Sequence, residues 1–172
     1  MHLHRRKFDA DASEFRYDHA IMTGKPSAAV IEAWAGLVRT ERALRDKVEE
    51  ALKRARLPPA DWYHVLNEID RAPRGMLRQT GVQDRTKLAQ YNVCRLVDRL
   101  EGEGLVERRQ CQIDGRNNVV IITAKGRALR RQMWPVYAAA IAEHVGAHLS
   151  EAEAAELARL LGKLLRAESS VN

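Results

Sequence analysis

Apolar residues recur at helical spacing along most of the chain. Between residues 27 and 56, Ile31, Trp34, Val38, Val48 and Leu52 fall on one stripe, which Leu37, Leu44 and Ala51 widen. That pattern predicts one amphipathic helix of about seven to eight turns. A helix this long in a chain of 172 residues carries more apolar edge than one small core can cover, so part of it is expected to meet another subunit. Leu57-Pro58-Pro59 ends the helix, and the prolines preset the first turn of the next. Trp62, Val65, Leu66 and Ile69 mark that short second helix, which Ala72-Pro73-Arg74-Gly75 stops. Met76, Leu77 and Val82 suggest a further short helix over 76–88, although Gly81 inside it costs roughly 1 kcal/mol against alanine. Over 90–103 the pattern sharpens: Val93, Leu96, Val97 and Leu100 form one apolar face, with Gly102 and Gly104 as the C-terminal stop.

The period then changes. Residues 105–109 and 118–122 have strand character, and Asp114-Gly115 between them is a strong hairpin signal. Thr123 is placed to cap a helix running to about Leu149, with Leu129, Met133, Val136, Tyr137, Ala140, Ile141 and Val145 on its apolar side. Pro135 removes one backbone bond inside it and is expected to bend it. Ser150-Glu151-Ala152-Glu153 is a capping-box pattern, followed by a stripe of Leu157, Leu160, Leu161, Leu164 and Leu165. The pattern predicts a mainly α chain with a small β-hairpin, its middle third a compact module flanked by long helices at both ends.

Composition narrows the function classes. Apolar residues make up 45% and charged residues 30%, which argues for a packed chain rather than a disordered one. The net charge of +6 suits a polyanionic partner. Two cysteines, Cys94 and Cys111, make no disulfide framework, and no apolar run approaches a membrane span or a signal peptide. A cytoplasmic location without membrane contact is the expectation.

The helix over 90–103 carries the candidate chemistry. With its core face fixed, Gln90, Tyr91, Asn92, Cys94, Arg95 and Asp98 point away, and Arg99 lies on the flank. Arginine can bond guanine in bidentate fashion, and asparagine or glutamine can do the same to adenine, so this face suits a major groove. The alternative is a solvated face with an Arg95/Asp98 ion pair. The ribbon that follows sets Arg108 and Arg109 on its first strand and Arg116 at its tip. One arginine on a slender tip can enter a narrow minor groove, and Asp114 can hold it extended. An ordinary hairpin whose Asp-Gly serves only the turn is the alternative there.

Three blocks together resemble the MarR family of bacterial transcription regulators: 95–108 (Arg95-Leu96-Val97-Asp98-Arg99-Leu100-Glu101-x-x-Gly104-Leu105-Val106-Glu107-Arg108), Asp114-Gly115-Arg116, and 122–129 (Ile122-Thr123-x-x-Gly126-Arg127-Ala128-Leu129). The similarity extends over about 28–165. The resemblance implies a mainly α fold with a small β-hairpin wing: a winged helix-turn-helix DNA-binding domain over 58–123, an N-terminal arm over 1–26, and long N- and C-terminal dimerisation helices over 27–57 and 124–168 that interlock in a homodimer. It implies that Gln90 to Arg95 begin the recognition helix and that Asp114 and Arg116 form the wing-tip pair. It further implies a ligand-responsive repressor on a near-palindromic DNA operator, with a small aromatic or anionic effector between the DNA-binding lobe and the dimerisation helices. Trp34, Trp62, Tyr63, His64, Trp134 and Tyr137 are the candidates near that cleft, against the alternative that each is plain core. Gly81-Val82-Gln83-Asp84 and Tyr91-Asn92 depart from the family's usual residues.

Other signals are weaker. Cys94 and Cys111 are either oxidant-sensitive or inert thiols. His144 and His148 stand at zinc-compatible spacing without an evident third ligand, so no metal and no cofactor is expected. The chain has no residue set to name for an enzyme. Two rivals stay open: a non-specific architectural DNA-binding protein, and a small-molecule or protein-binding module that has lost DNA binding.

Overall fold

A computed structural model describes residues 24–110 and 118–169. Six helices and three strands follow in order: α1 (Ala28–Arg54), α2 (Ala60–Arg71), β1 (Met76–Arg78), α3 (Gln79–Thr86), α4 (Gln90–Gly102), β2 (Val106–Gln110), β3 (Asn118–Ile122), α5 (Ala124–Ile141) and α6 (Glu151–Ser169). The residues divide into two compact units, one up to Thr40 and one from Glu41 onward.

In the first unit, Ser27 Oγ accepts a hydrogen bond from the Val30 N–H at 3.3 Å and starts α1. Val30, Ile31, Trp34, Leu37 and Val38 are all exposed there, so the apolar stripe read from the sequence is open on this part of the helix.

The second unit holds the core. Val65, Leu66 and Ile69 of α2, Val82 of α3, and Val93, Leu96, Val97 and Leu100 of α4 pack with Leu105, Val106, Val120 and Ile122. These side chains are hydrophobic at the spacing that puts one face of each helix inward, and their burial supplies the main favourable term. A second cluster joins Leu52, Ala60, Tyr63 and Met133. Proline at position 59 offers no capping side chain, and the Glu49 carboxylate takes that role by accepting from the Ala60 N–H at 3.0 Å.

The sheet is antiparallel in the order β1-β3-β2, with Met76 opposite Ile121 and Val106 opposite Ile122. Here the structure corrects the helix expected from residue 76. Met76 and Leu77 form a strand, and the helix begins only at Gln79. Three residues cannot signal a strand by period alone; the open edge of β3 recruits them. Helix α4 ends as its glycine predicts. Gly104 has φ +68°, the Leu105 N–H bonds the Leu100 carbonyl at 2.8 Å, and the Gly104 N–H bonds that of Glu101 at 2.8 Å.

Thr123 caps α5, its Oγ1 accepting from the Gly126 N–H at 3.1 Å. Helix α5 runs through Pro135 but stops at Ile141, short of the expected 149. A wide turn over Ala142–Gly146 follows, where the Ala147 N–H reaches the Ala142 carbonyl. The capping box forms at α6, with the Ser150 N–H on Glu153 at 2.9 Å and the Glu153 N–H on Ser150 Oγ at 3.4 Å. Leu157, Leu160 and Leu164 remain exposed along α6. No described helix is long and apolar enough to cross a membrane.

Candidate nucleic-acid interface and adjoining cavity

Helix α4 is pinned from behind. Val93, Val97 and Leu100 are almost wholly buried and Leu96 nearly so, which fixes the rotation of the helix. Gln90, Tyr91, Asn92, Arg95, Asp98 and Arg99 consequently face solvent, as expected. The helix N-terminus has no side-chain cap, so free N–H groups and the positive end of the dipole accompany that face. Arg95 does not pair with Asp98. Its guanidinium lies over the Tyr91 ring at 5.4 Å from the centroid, with Nη1 3.3 Å from the tyrosine oxygen. Cys94 is half-buried, and its Sγ accepts from Gln79 Nε2 at 3.0 Å, which links the start of α3 to α4.

Asp98 is engaged instead by Arg108 of β2. Glu101 joins this clamp: Oε2 lies 3.5 Å from Arg108 Nε, and Oε1 accepts from the Arg108 N–H at 3.1 Å. Arg108 therefore fastens the ribbon to α4 and turns its charge towards two carboxylates. Arg109 is exposed and, among the described residues, pairs with the exposed Glu107 at 3.3 Å. Asp114, Arg116 and Cys111 lie outside the described residues. Arg78, exposed at the end of β1, is a further outward cation that the sequence reading passed over, because its strand was read as helix.

Behind the core, α2 and α5 are joined by charge. Asp70 pairs with Arg127, and its Oδ2 lies 2.9 Å from Arg130 Nε. The Arg130 contact is an ion pair without hydrogen-bond alignment. Four of the six aromatic candidates gather between the same helices. Tyr63 stacks on Tyr137 at 4.7 Å and on Trp134 at 5.9 Å, while His64 meets Tyr137 edge-on. Trp62 instead packs on the main core, and Trp34 belongs to the first unit, where it is two-thirds exposed.

A cavity of about 280 Å³ opens beside the stack. Leu44, Val48, Ala60, Ala140, Ile141 and Val145 give it apolar walls, and Glu41, Arg45, His64, Tyr137 and His144 supply the polar groups. Only His64 and Tyr137 of the six candidates line it. Glu41 and Arg45 were not singled out from the sequence; their i,i+4 spacing reads as any exposed helical pair. Arg45 is held by Glu41 at 2.7 Å and by Asp61 at 3.3 Å. Burial pushes the His64 imidazole below its ordinary value of 6.5, with Asp61 opposing and Arg45 adding to the effect. Burial and the neighbouring Tyr63 raise the Tyr137 hydroxyl above 10.0. His144 faces this cavity, and no group of three or more His, Cys, Asp or Glu among the described residues is arranged to hold a metal ion.

Residues 57–117 match the model of the MarR family. No curated protein matches the chain. Solved structures do. Sco3205 of Streptomyces coelicolor, a MarR family transcriptional regulator in complex with DNA, is 25% identical with a TM-score of 0.70, over 85% of this chain and 89% of its own. AbsC from the same organism shares 20% identity at a TM-score of 0.73, over 86% and 99% of the two chains, which speaks for the fold alone. CouR from Rhodococcus jostii RHA1, bound to p-coumaroyl-CoA, is 25% identical with a TM-score of 0.67, over 81% and 96%. The braced α4, its ribbon and the family match over the same residues lead to one conclusion: residues 57–117 carry a DNA-binding-type winged helix similar to that of the MarR family.

Proposed function

We propose that the protein is a sequence-specific DNA-binding transcription regulator that works as a homodimer and represses from a near-palindromic operator. The observation that carries this is the outward face of α4, where Asn92, Arg95 and Arg99 stand beside an uncapped helix N-terminus on a core that cannot rotate away. Amide and guanidinium groups in that arrangement suit base edges, and Arg109 with the wing-tip Asp114 and Arg116 suits backbone and minor groove. Sco3205 with DNA bound supports the same use of the fold.

The homodimer rests on apolar stripes. Leu157, Leu160 and Leu164 on α6, and Ile31, Trp34 and Val38 on α1, remain open to water. Surfaces of that kind on a soluble chain mark an interface, and a second copy is the occupant a palindromic site requires. The cavity beside His64 and Tyr137 is the seat for a small aromatic effector, whose binding shifts the spacing of the two DNA-binding lobes. CouR with p-coumaroyl-CoA supports ligand response.

The test is footprinting of the DNA next to the protein's own gene, against random duplex at the same salt. A protected, two-fold site with affinity well above random sequence supports specific regulation. Equal affinity for both with a steep salt slope would establish the architectural role instead. Arg95→Ala and Arg116→Ala should each weaken operator binding by about 1–3 kcal/mol. Leu160→Glu with Leu164→Glu should give a monomer in sedimentation and lose the two-fold footprint.

A further inference from the structure

Strand register brings together two arginines that are far apart in the chain. Arg78 of β1 and Arg109 of β2 both pair with Val119 of the central strand β3, so the three stand in one row across the sheet. Residues directly opposite on antiparallel strands share a face, and neighbours along a strand alternate. Val120 and Ile122 are buried and Leu77 packs against the core, which leaves Arg78, Val119 and Arg109 on the outer face of the sheet. Arg108 obeys the same alternation. It pairs with Val120 on the inner face, where Asp98 and Glu101 of α4 hold it.

Two strand spacings set the Cα atoms of Arg78 and Arg109 roughly 10 Å apart. Both side chains are exposed. Among the described residues no carboxylate pairs with Arg78, and Arg109 meets the likewise exposed Glu107. A surface pair of that kind contributes little and gives way readily to a stronger anion.

The place of the row matters as much as its charge. The next residue pair, Gln110 opposite Asn118, is the last described one before the wing tip. Gln79 follows Arg78 directly, and its Nε2 donates to Cys94 Sγ at 3.0 Å, one residue from Arg95 on α4. Arg78 is thereby tied to both parts that the DNA-binding reading assigns to the duplex, the ribbon and the polar face of α4. Two separate guanidinium groups with an apolar residue between them suit a backbone that carries one charge for roughly every 3.4 Å of rise on each strand. A base edge asks instead for a fork held in one orientation.

We infer that the outer face of the sheet is a phosphate-contact surface, where Arg78 and Arg109 on either side of Val119 take two phosphates of a DNA duplex. The inference rests on the DNA-binding reading and extends the interface beyond the wing onto β1. Arg78 fixes position on the duplex and carries no base preference.

The test is a salt titration of the full-length protein on two probes, a random-sequence duplex and the footprinted duplex. Arg78→Gln, checked for folding by circular dichroism, is expected to lower the slope of log affinity against log salt by about one on both. It should weaken both several-fold and alike. Adding Arg109→Ala should bring the loss of slope to about two. Arg78→Lys keeps the charge and should stay near the parent slope, whereas Arg78→Ser gives the same comparison as Arg78→Gln should that variant fail to fold. Arg131→Gln, which removes an exposed arginine from α5, should leave the slope unchanged. A parental slope in the folded Arg78→Gln, an equal fall in Arg131→Gln, or a slope in Arg78→Lys as low as that of Arg78→Gln would overturn the inference. So would a changed ratio between the two duplexes, which would make Arg78 a reader of bases. A parent protein that ignores both duplexes in low salt would sink the DNA-binding reading together with this surface. A parent that binds while its Arg78 variants keep its slope would sink the surface alone.

Discussion

The Tyr137 hydroxyl lies 2.8 Å from His64 Nε2, and the two rings cross at 81°. That contact spans α2 and α5 at the rim of the cavity and joins two groups whose charged forms are both disfavoured by burial.

A pH dependence follows from His64. The unfolded chain takes up a proton near 6.5, whereas the folded chain resists until the pH is lower, because burial opposes the charge. This contribution to stability is complete above about 6.5 and is lost as the pH falls towards the lowered folded value. Urea midpoints from about pH 7.5 to about 5.5 should therefore decline, and His64→Gln should flatten part of the decline. Tyr137→Phe removes the hydrogen bond and should lower stability by about 1 kcal/mol at neutral pH.

Gly126 stands where α5 leaves β3, and a Cβ there would sit 2.1 Å from the Leu105 carbonyl oxygen. Backbone has to move to admit it. Gly126→Ala should cost about 2 kcal/mol or more, seen as a melting temperature lower by roughly 5 °C or more.

Asp70, only 13% exposed, holds both Arg127 and Arg130. Asp70→Asn leaves two guanidinium groups facing one another without a counter-charge and should cost about 2 kcal/mol, the partial exposure of both arginines moderating the loss. Chemical denaturation of Asp70→Asn, Arg130→Met and the double variant measures it. The double variant should lose less than the sum of the two.

Arg108 and Arg109 are neighbours on β2 with different duties. Arg108→Met should lower stability by about 1 kcal/mol through loss of the Asp98 and Glu101 clamp, and weaken DNA binding while leaving the salt slope unchanged. Arg109→Ala should leave stability in place and reduce the slope by about one. Matching slopes for the two variants would show that the clamp opens on DNA.

Much of the fold was legible in the chain itself. The period of Val93, Leu96, Val97 and Leu100 set the rotation of α4, and hence which residues face outward, because a 3.6-residue repeat leaves one face to bury. Gly104, Thr123 and Ser150-x-x-Glu153 signalled helix ends through local backbone chemistry, which needs no distant partner. Less legible were the strand at Met76 and the shortened α5. The strand depends on β3, far along the chain, and the end of α5 on a backbone bond from Ala147 to Ala142 that side-chain period does not signal.

The candidate sites divide along the same line. Sequence alone determined the resemblance over residues 57–117, the fold class and the polar face of α4, since each is written in residues adjacent on the chain or one helical turn apart. Tertiary structure alone decided that Arg108 serves Asp98 and Glu101, that Trp62 belongs to the core, and that the carboxylates of Glu41 and Asp61 already occupy Arg45 at the cavity. A charge has no partner until the fold brings one within a few ångströms, and a ligand responds to the charge that remains.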